Sequence, residues 1–290
     1  MGNSLEQYRQ SIGLFNRVKY VTSSVSFPLG LYCVLIVAAL MLLLMKCGDI
    51  ELNPGPNHKM KNVTISHTNI RGLSDPKICA LKTSLCNSCN IITLSETFLG
   101  PLSSADLKLP DFHDILRRDR PTFGGGLAIY ISESIPYKRR FEWEIKEIEV
   151  MWIEFITTEG KLLLCNVYRP PNSDCFWTHF ANNIDYVKSH KAGTQIIILG
   201  DLNADFNTIN GRKLIEICLE NNLQCHINEP TRITQNTSTC LDQIISNIPN
   251  FIVQTTGDPP ISPNNHCTLN AKINFKIGRG SLMKDTIMVI

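Results

Sequence analysis

The 290-residue sequence carries almost no net charge, and it has no fixed-period repeat and no low-complexity tract. A balance of +2 declares no partner by bulk electrostatics, so nucleic-acid binding has to come from local clusters. Two clusters stand out, Arg117, Arg118 and Arg120 in one and Lys138, Arg139 and Arg140 in the other. Each is accounted for equally well as a solvated face of a β protein. The 11 cysteines are odd in number and lack the spacing of a small disulfide framework, which points to reduced, mostly buried thiols and to cytosol or nucleus. Cys86 and Cys89 form one CxxC with no second pair, so no zinc finger is expected. The sequons at Asn62 and Asn236 matter only in a secreted product, and Glu6 stands where a myristoylation signal needs Ser or Thr. The run Gly124 to Gly126 lacks the Lys and Ser/Thr of a phosphate loop and reads as a hairpin turn.

What is present falls into two unlike pieces. With 43% hydrophobic and 19% charged residues, the chain can build one large core and an appendage. The appendage, residues 1–56, contains a nearly unbroken apolar run from Phe27 to Met45, preceded by Arg9, Arg17 and Lys19 and followed by Lys46. That length is close to the roughly 20 residues of a membrane-spanning helix, with a signal peptide as the alternative. Directly after it comes GDIELNPGP, residues 48–56. A rigid Asn-Pro-Gly turn before a second proline can aim an ester carbonyl away from a constrained ring nitrogen. The string closely resembles the 2A-type ribosome-skipping peptides of picornaviruses and some retrotransposons, through Asp49, Ile50, Glu51, Asn53, Pro54, Gly55 and Pro56. The resemblance implies release at Gly55 and resumption at Pro56, and the plain alternative is a Pro/Gly-rich linker. Unskipped, the leader would tether the domain to a membrane or target it for secretion; skipped, the domain is free.

From residue 57 to 277, strand-like runs alternate with amphipathic segments, and a tail follows at 278–290. Strands are predicted at Val63 to Asn69, Ile91 to Ser95, Gly126 to Ile131, Val150 to Thr157, Lys161 to Tyr168, Gln195 to Asp201, Leu241 to Ser246 and His266 to Phe275. Helices are predicted at Asp75 to Cys86, Asp174 to Ser189 and Gly211 to Asn221. Short strands outnumber helices, which suggests an α/β domain of two packed sheets flanked by helices.

Polar residues recur at the strand ends, where α/β sites gather reactive groups. Asn69 closes the first strand, Glu96 follows the second in SETF, and Tyr168 stands in YRPP. Asp201 and Asn203 lie in LGDLNAD after a buried Ile run, Asp242 in TCLDQ, and His266 in NNHC. If strand geometry continues, Asp201 and Asn203 point the same way. Taken in order, these residues resemble the endonuclease/exonuclease/phosphatase superfamily, specifically the apurinic-type endonuclease domain of non-LTR (LINE-like) retrotransposons. The stretch RRDRPTFGGGLAIYI strengthens the likeness, which covers nearly all of residues 62–275.

The resemblance implies a four-layer sandwich of two mixed β-sheets flanked by helices, and Mg²⁺-dependent nicking of DNA, with Mn²⁺ as the alternative ion. It assigns Glu96 to the metal with Asn69 assisting, and Asp201 to the attacking water. It assigns Asn203 and Tyr168 to the non-bridging oxygens, and His266, held by Asp242, to the phosphate or to proton transfer. Which of Asp201 and His266 is the base stays open. Asn265 departs from the pattern, since the family has Asp before the histidine, and the lost charge should weaken the metal site. A dead nucleic-acid-binding remnant and a phospholipid or phosphoinositide phosphodiesterase are the competing readings. No aromatic-Ala-Asp-Asp string occurs, so a monomeric fragment is expected whose reverse transcriptase lies elsewhere. Translation of the full reading frame in a cell-free lysate should yield a short peptide and a product starting at Pro56; a single band at 32.6 kDa would refute skipping.

Overall fold

The computed structural model describes residues 62–274, apart from 101–102, 104–105, 158–159, 191–192 and 262–264. The apolar run 27–45, the 2A-like string 48–56 and the tail 278–290 lie outside the described residues. Among the described residues no helix is long and apolar enough to cross a membrane.

Among the described residues, fourteen strands and three α-helices follow in chain order. They are β1 (Val63–Asn69), α1 (Asp75–Ser84), β2 (Ile91–Ser95), β3 (Leu116–Arg118), β4 (Leu127–Ile131), β5 (Lys138–Arg139), β6 (Glu149–Thr157) and β7 (Gly160–Tyr168). Then come α2 (Phe176–His190), β8 (Gln195–Asp201), α3 (Ile209–Glu220), β9 (Gln224–Cys225), β10 (Arg232–Ile233), β11 (Ser238–Thr239), β12 (Asp242–Ser246), β13 (Ile252–Asp258) and β14 (Thr268–Ile273). One six-stranded sheet runs β13-β14-β1-β2-β4-β3 and the other β5-β6-β7-β8-β12-β9, with β10 and β11 forming a separate ribbon. Both large sheets are mixed, because β1–β2 and β7–β8 pair in parallel while their other ladders are antiparallel.

Side-chain parity builds the layers, since alternate residues of a strand face opposite sides. Val63, Ile65, Ile91, Leu127 and Ile129 of the first sheet pack with Met151, Ile153, Leu164, Ile197, Leu199 and Ile244 of the second in one core between the sheets. The opposite parity, Ile92, Leu94, Ala128 and Tyr130, packs on Ile78 and Leu81 of α1. Trp152, Leu163, Cys165, Ile196 and Ile198 pack on Phe180 and Ile184 of α2 and Leu214 of α3. The architecture is therefore the α/β sandwich of the endonuclease/exonuclease/phosphatase fold, helix over sheet over sheet over helix. Asn166 crosses the layer, its Nδ2 donating to the carbonyls of Leu94 and Ala128, both at 3.0 Å.

Several expectations need correction. The last strand starts at Thr268, not His266, whose backbone forms an isolated bridge with Arg232. The third helix starts two residues early, because the Thr208 hydroxyl caps it by accepting from Gly211 N at 3.2 Å. Residues 124–126 do form part of a hairpin connection, between β3 and β4. Gly126 has φ +87°, and a Cβ there would stand 2.6 Å from Thr97 Oγ1. The nine cysteines of the described residues are free, four of them buried.

The two basic clusters are spent on structure. Arg117 pairs with Asp119, Arg120 with Glu149, Arg139 with Glu144 and Arg140 with Glu154, while Arg118 donates to the carbonyls of Val150 and Ile145. These guanidiniums lace hairpin and loop backbones together and are half-buried, not solvated faces.

Gly200 sits opposite Val167 in the β7–β8 ladder, and a Cβ there would lie 1.9 Å from the Val167 carbonyl oxygen. Gly200→Ala must therefore push apart the two strands that carry Tyr168 and Asp201. A loss of ~3 kcal/mol in urea unfolding, or an insoluble protein, is expected; an unchanged midpoint would show that the ladder flexes freely.

Candidate active site

The parity that fills the core also gathers the polar strand ends. Continuing Val63 and Ile65 by twos along β1 gives His67 and Asn69, and continuing Ile197 and Leu199 along β8 gives Asp201. On β7 the same face ends in Tyr168, which belongs to the intersheet core. Asp242 opens β12 directly opposite Asp201 in the antiparallel ladder.

Asp201 is almost fully buried and held on both oxygens. Asn69 Nδ2 donates to Oδ2 at 2.8 Å, and the Asn203 backbone N–H donates to Oδ1 at 3.0 Å. Asn69 Oδ1 in turn accepts from Arg71 N at 3.1 Å. Strand geometry does not continue to Asn203: β8 ends at Asp201, and Asn203 adopts φ +46°. Its Nδ2 therefore reaches the Arg169 carbonyl at 2.8 Å instead of lying parallel to Asp201. The buried Arg169 guanidinium returns from below to the carbonyls of Leu202 and Asn203 at 3.4 and 3.2 Å, fixing the turn.

Asp242 Oδ2 accepts from His266 Nδ1 at 2.9 Å and from the Thr231 hydroxyl at 2.7 Å. The same hydroxyl oxygen accepts from the backbone N–H groups of Leu241 and Asp242. Glu96 stands across the layer, its Oε1 accepting from the Tyr168 hydroxyl at 2.8 Å. It is a non-glycine residue at φ +53°, a strained conformation of the kind found at functional sites.

The charges do not balance. Burial first, and then the Asp242 carboxylate, pushes Asp201 well above the usual carboxylate range. Burial lowers His266, but its hydrogen bond to Asp242 and the charges of Asp242, Asp201 and Glu96 outweigh that and raise it. Burial, then Glu96, pushes the Tyr168 hydroxyl up, so it stays a donor. Donor atoms of Asp201, Asp242 and His266 all lie within 4.8 Å of one another, a group able to hold a metal ion.

The sequence assigned the metal to Glu96, Asn69 and Asn265. In the structure Glu96 stands with Tyr168, Asn69 is bonded to Asp201, and Asn265 is exposed at φ +65° with its carbonyl accepting from Ile233 N. Three residues that sequence reasoning missed complete the surroundings: His67, Thr231 and Arg169. Only His67 left a signal, its spacing of two from Asn69.

Residues 162–267 match the family described as endonuclease-reverse transcriptase. The fold is similar to the endonuclease domain of TRAS1, a telomere-specific non-LTR retrotransposon, with TM-score 0.59 and 12% identity over 73% of this chain and 98% of that one. It is similar to the AP endonuclease LMAP from Leishmania major, with TM-score 0.61 and 13% identity over 74% and 88% of the two chains. For the Xenopus laevis APE2 catalytic domain the values are 0.57, 15%, 74% and 93%. No curated protein matches the sequence. The fold is thus that of the endonuclease/exonuclease/phosphatase superfamily. Within it, residues 162–267 carry the likeness to the endonuclease-reverse transcriptase family.

Burial lowers His67 to about 4, against the opposing pull of Asp242 and with a smaller push down from His266. Between its ordinary 6.5 and 4 the unfolded chain binds a proton at residue 67 that the folded chain does not, so folded stability falls as pH falls through that window. In His67→Gln this contribution vanishes. Urea unfolding at pH 7 and 4.5 should show the variant losing ~1–3 kcal/mol less than the parent on acidification; equal losses would rule out the depressed imidazole.

Proposed function

We propose that the domain is a divalent-metal-dependent phosphodiesterase that nicks duplex DNA, the endonuclease part of a non-LTR retroelement. The observation that carries this reading is the buried Asp201, Asp242 and His266 group at the ends of paired strands in a nuclease-superfamily fold. Burial first, and then the facing Asp242 carboxylate, disfavours the ionised Asp201, and a cation is what would let both aspartates carry their charge. A hard divalent cation would be held beside this group by Glu96 and Asn69, oxygen donors from the facing sheet, with the aspartates adding negative charge and His266 left for the phosphate. When bound, Mg²⁺ or Mn²⁺ would polarise the phosphodiester and offset charge on the leaving oxygen.

The chain's own residues supply the rest. Asp201, fixed on both oxygens, orients or deprotonates the attacking water. His266, held through Nδ1 by Asp242, presents Nε2 for a phosphate contact or a proton transfer. Asn203 has a second amide proton beyond the one given to Arg169, and it serves a non-bridging oxygen; the Tyr168 hydroxyl, whose single proton is on Glu96 Oε1, would join it once Glu96 turns to the cation. Hydrolysis that leaves a 3′-hydroxyl would provide a primer for a reverse transcriptase. Because most of the clustered arginines are internally paired, DNA contact falls to exposed cations such as Arg71, two residues past Asn69.

Supercoiled plasmid should be nicked in Mg²⁺ and spared in chelator, and Asp201→Asn should slow nicking by about 100-fold or more. Asn265→Asp restores a charge beside His266 and is expected to raise the rate above the parent; no gain would show that Asn265 is not the weak point. Phosphoinositide release from vesicles without plasmid nicking would favour the lipid phosphodiesterase. Salt-sensitive DNA binding without any Mg²⁺-dependent nicking would favour an inactive remnant.

A further inference from the structure

His67 is fully buried on the inner face of β1, two residues before Asn69. Its Nδ1 stands 3.0 Å from the Thr93 hydroxyl on the neighbouring strand β2. Its Nε2 has no hydrogen-bond partner, and 3.9 Å away lies Asp242 Oδ1, the one oxygen of that carboxylate that is equally without a partner. The other oxygen is taken by His266 and Thr231. Two orphaned polar atoms, both wholly buried and facing each other, are costly unless a hydrogen lies between them.

We propose that His67 is a positioning residue for His266: its Nε2–H is directed at Asp242 Oδ1, so that the carboxylate is held between two imidazoles. The proton count supports this tautomer. The Thr93 hydroxyl has one proton and two acceptors in reach, the Ser66 carbonyl at 3.0 Å and His67 Nδ1. If it donates to Ser66, then His67 Nδ1 carries the ring hydrogen and a bare Nε2 lone pair faces a carboxylate oxygen. If it donates to Nδ1, the ring hydrogen sits on Nε2 and points toward Oδ1 across 3.9 Å, where a closing shift of about 1 Å satisfies both orphans. Ser66 can release Thr93, because its strand is paired on both sides, with Asn270 and Ile92.

The chain Thr93, His67, Asp242, His266 then runs from the intersheet core to the site. Asp242 is fixed on both oxygens, so it cannot turn Oδ2 away from His266 Nδ1. Because His67 is inaccessible, it acts on the orientation of His266 and not on substrate binding.

The proposal rests on the nuclease reading for its kinetic arm and stands apart from it in a spectroscopic one. In long-range ¹H–¹⁵N spectra of the parent at neutral pH, His67 should show the Nε2–H tautomer; the Nδ1–H tautomer would overturn the proposal whether or not the protein nicks DNA. In the nicking assay, His67→Leu keeps the bulk and removes the donor, and kcat should fall about 10- to 100-fold with KM unchanged. His67→Gln places an amide N–H near the former Nε2 and should recover most of that loss. A Leu variant as active as the parent, a loss confined to KM, or a Gln variant as poor as Leu when both fold would each overturn it. A parent with the Nε2–H tautomer but no nicking would instead sink the nuclease reading.

Discussion

Two aspartates face each other across an antiparallel ladder, Asp201 on β8 and Asp242 on β12, both inside the protein. Like charges directly opposite in a sheet destabilise it, and burial makes that repulsion larger. Nearly every polar contact at this end of the molecule answers the pair. Asn69 and the Asn203 amide neutralise one member with dipoles, while Thr231 and His266 take one side of the other. The polar neighbours come from strands and loops as far apart as residues 69 and 266, so the arrangement exists only when both sheets are complete.

The sandwich supplies this rigidity through its packing. Long β-branched and aromatic side chains fill the layer between the sheets and leave the polar ends as its boundary. Asn166 bridges the layer to the carbonyls of β2 and β4, which fixes the distance across which Tyr168 reaches Glu96. The arginine clusters do comparable work outside the core. They tie the β3–β4 connection to Glu149 and β5 to Glu144 and Glu154, and these ties hold the loops that flank the Glu96 segment.

Apolar periodicity made the principal strands legible to within a residue or two, because β1, β2, β4, β6, β7, β8 and β12 are covered on both faces. The short strands β3, β5, β9, β10 and β11 were not, since two or three residues carry no period. Strand β13, with its run of Gln, Thr and Gly at a sheet edge, resembles loop composition. At the site, the ordered polar strand ends were readable because each follows an apolar run. Thr231 was not, as it sits in a turn-like Glu-Pro-Thr string, and a lone His67 between Ser66 and Thr68 reads as an ordinary strand histidine. The placement of Asn203 also escaped, because its φ of +46° turns the chain in a way that strand parity does not foresee.

Charge accounting separates the functional readings. A phosphodiester brought to Asp201, Asp242 and Glu96 would add another negative charge to three carboxylates and one imidazole. Hydrogen-bond dipoles from Asn69, Asn203 and Tyr168 orient such a group, but they do not cancel a full charge in a partly dry site. A site intended to bind the phosphate backbone without chemistry would gain by replacing its buried carboxylates with amides, and this one keeps them paired in register. Nor do the surrounding arginines make up the deficit, because their guanidiniums are already committed to Glu and Asp partners elsewhere. The cation proposed for this site is the partner that would offset that deficit.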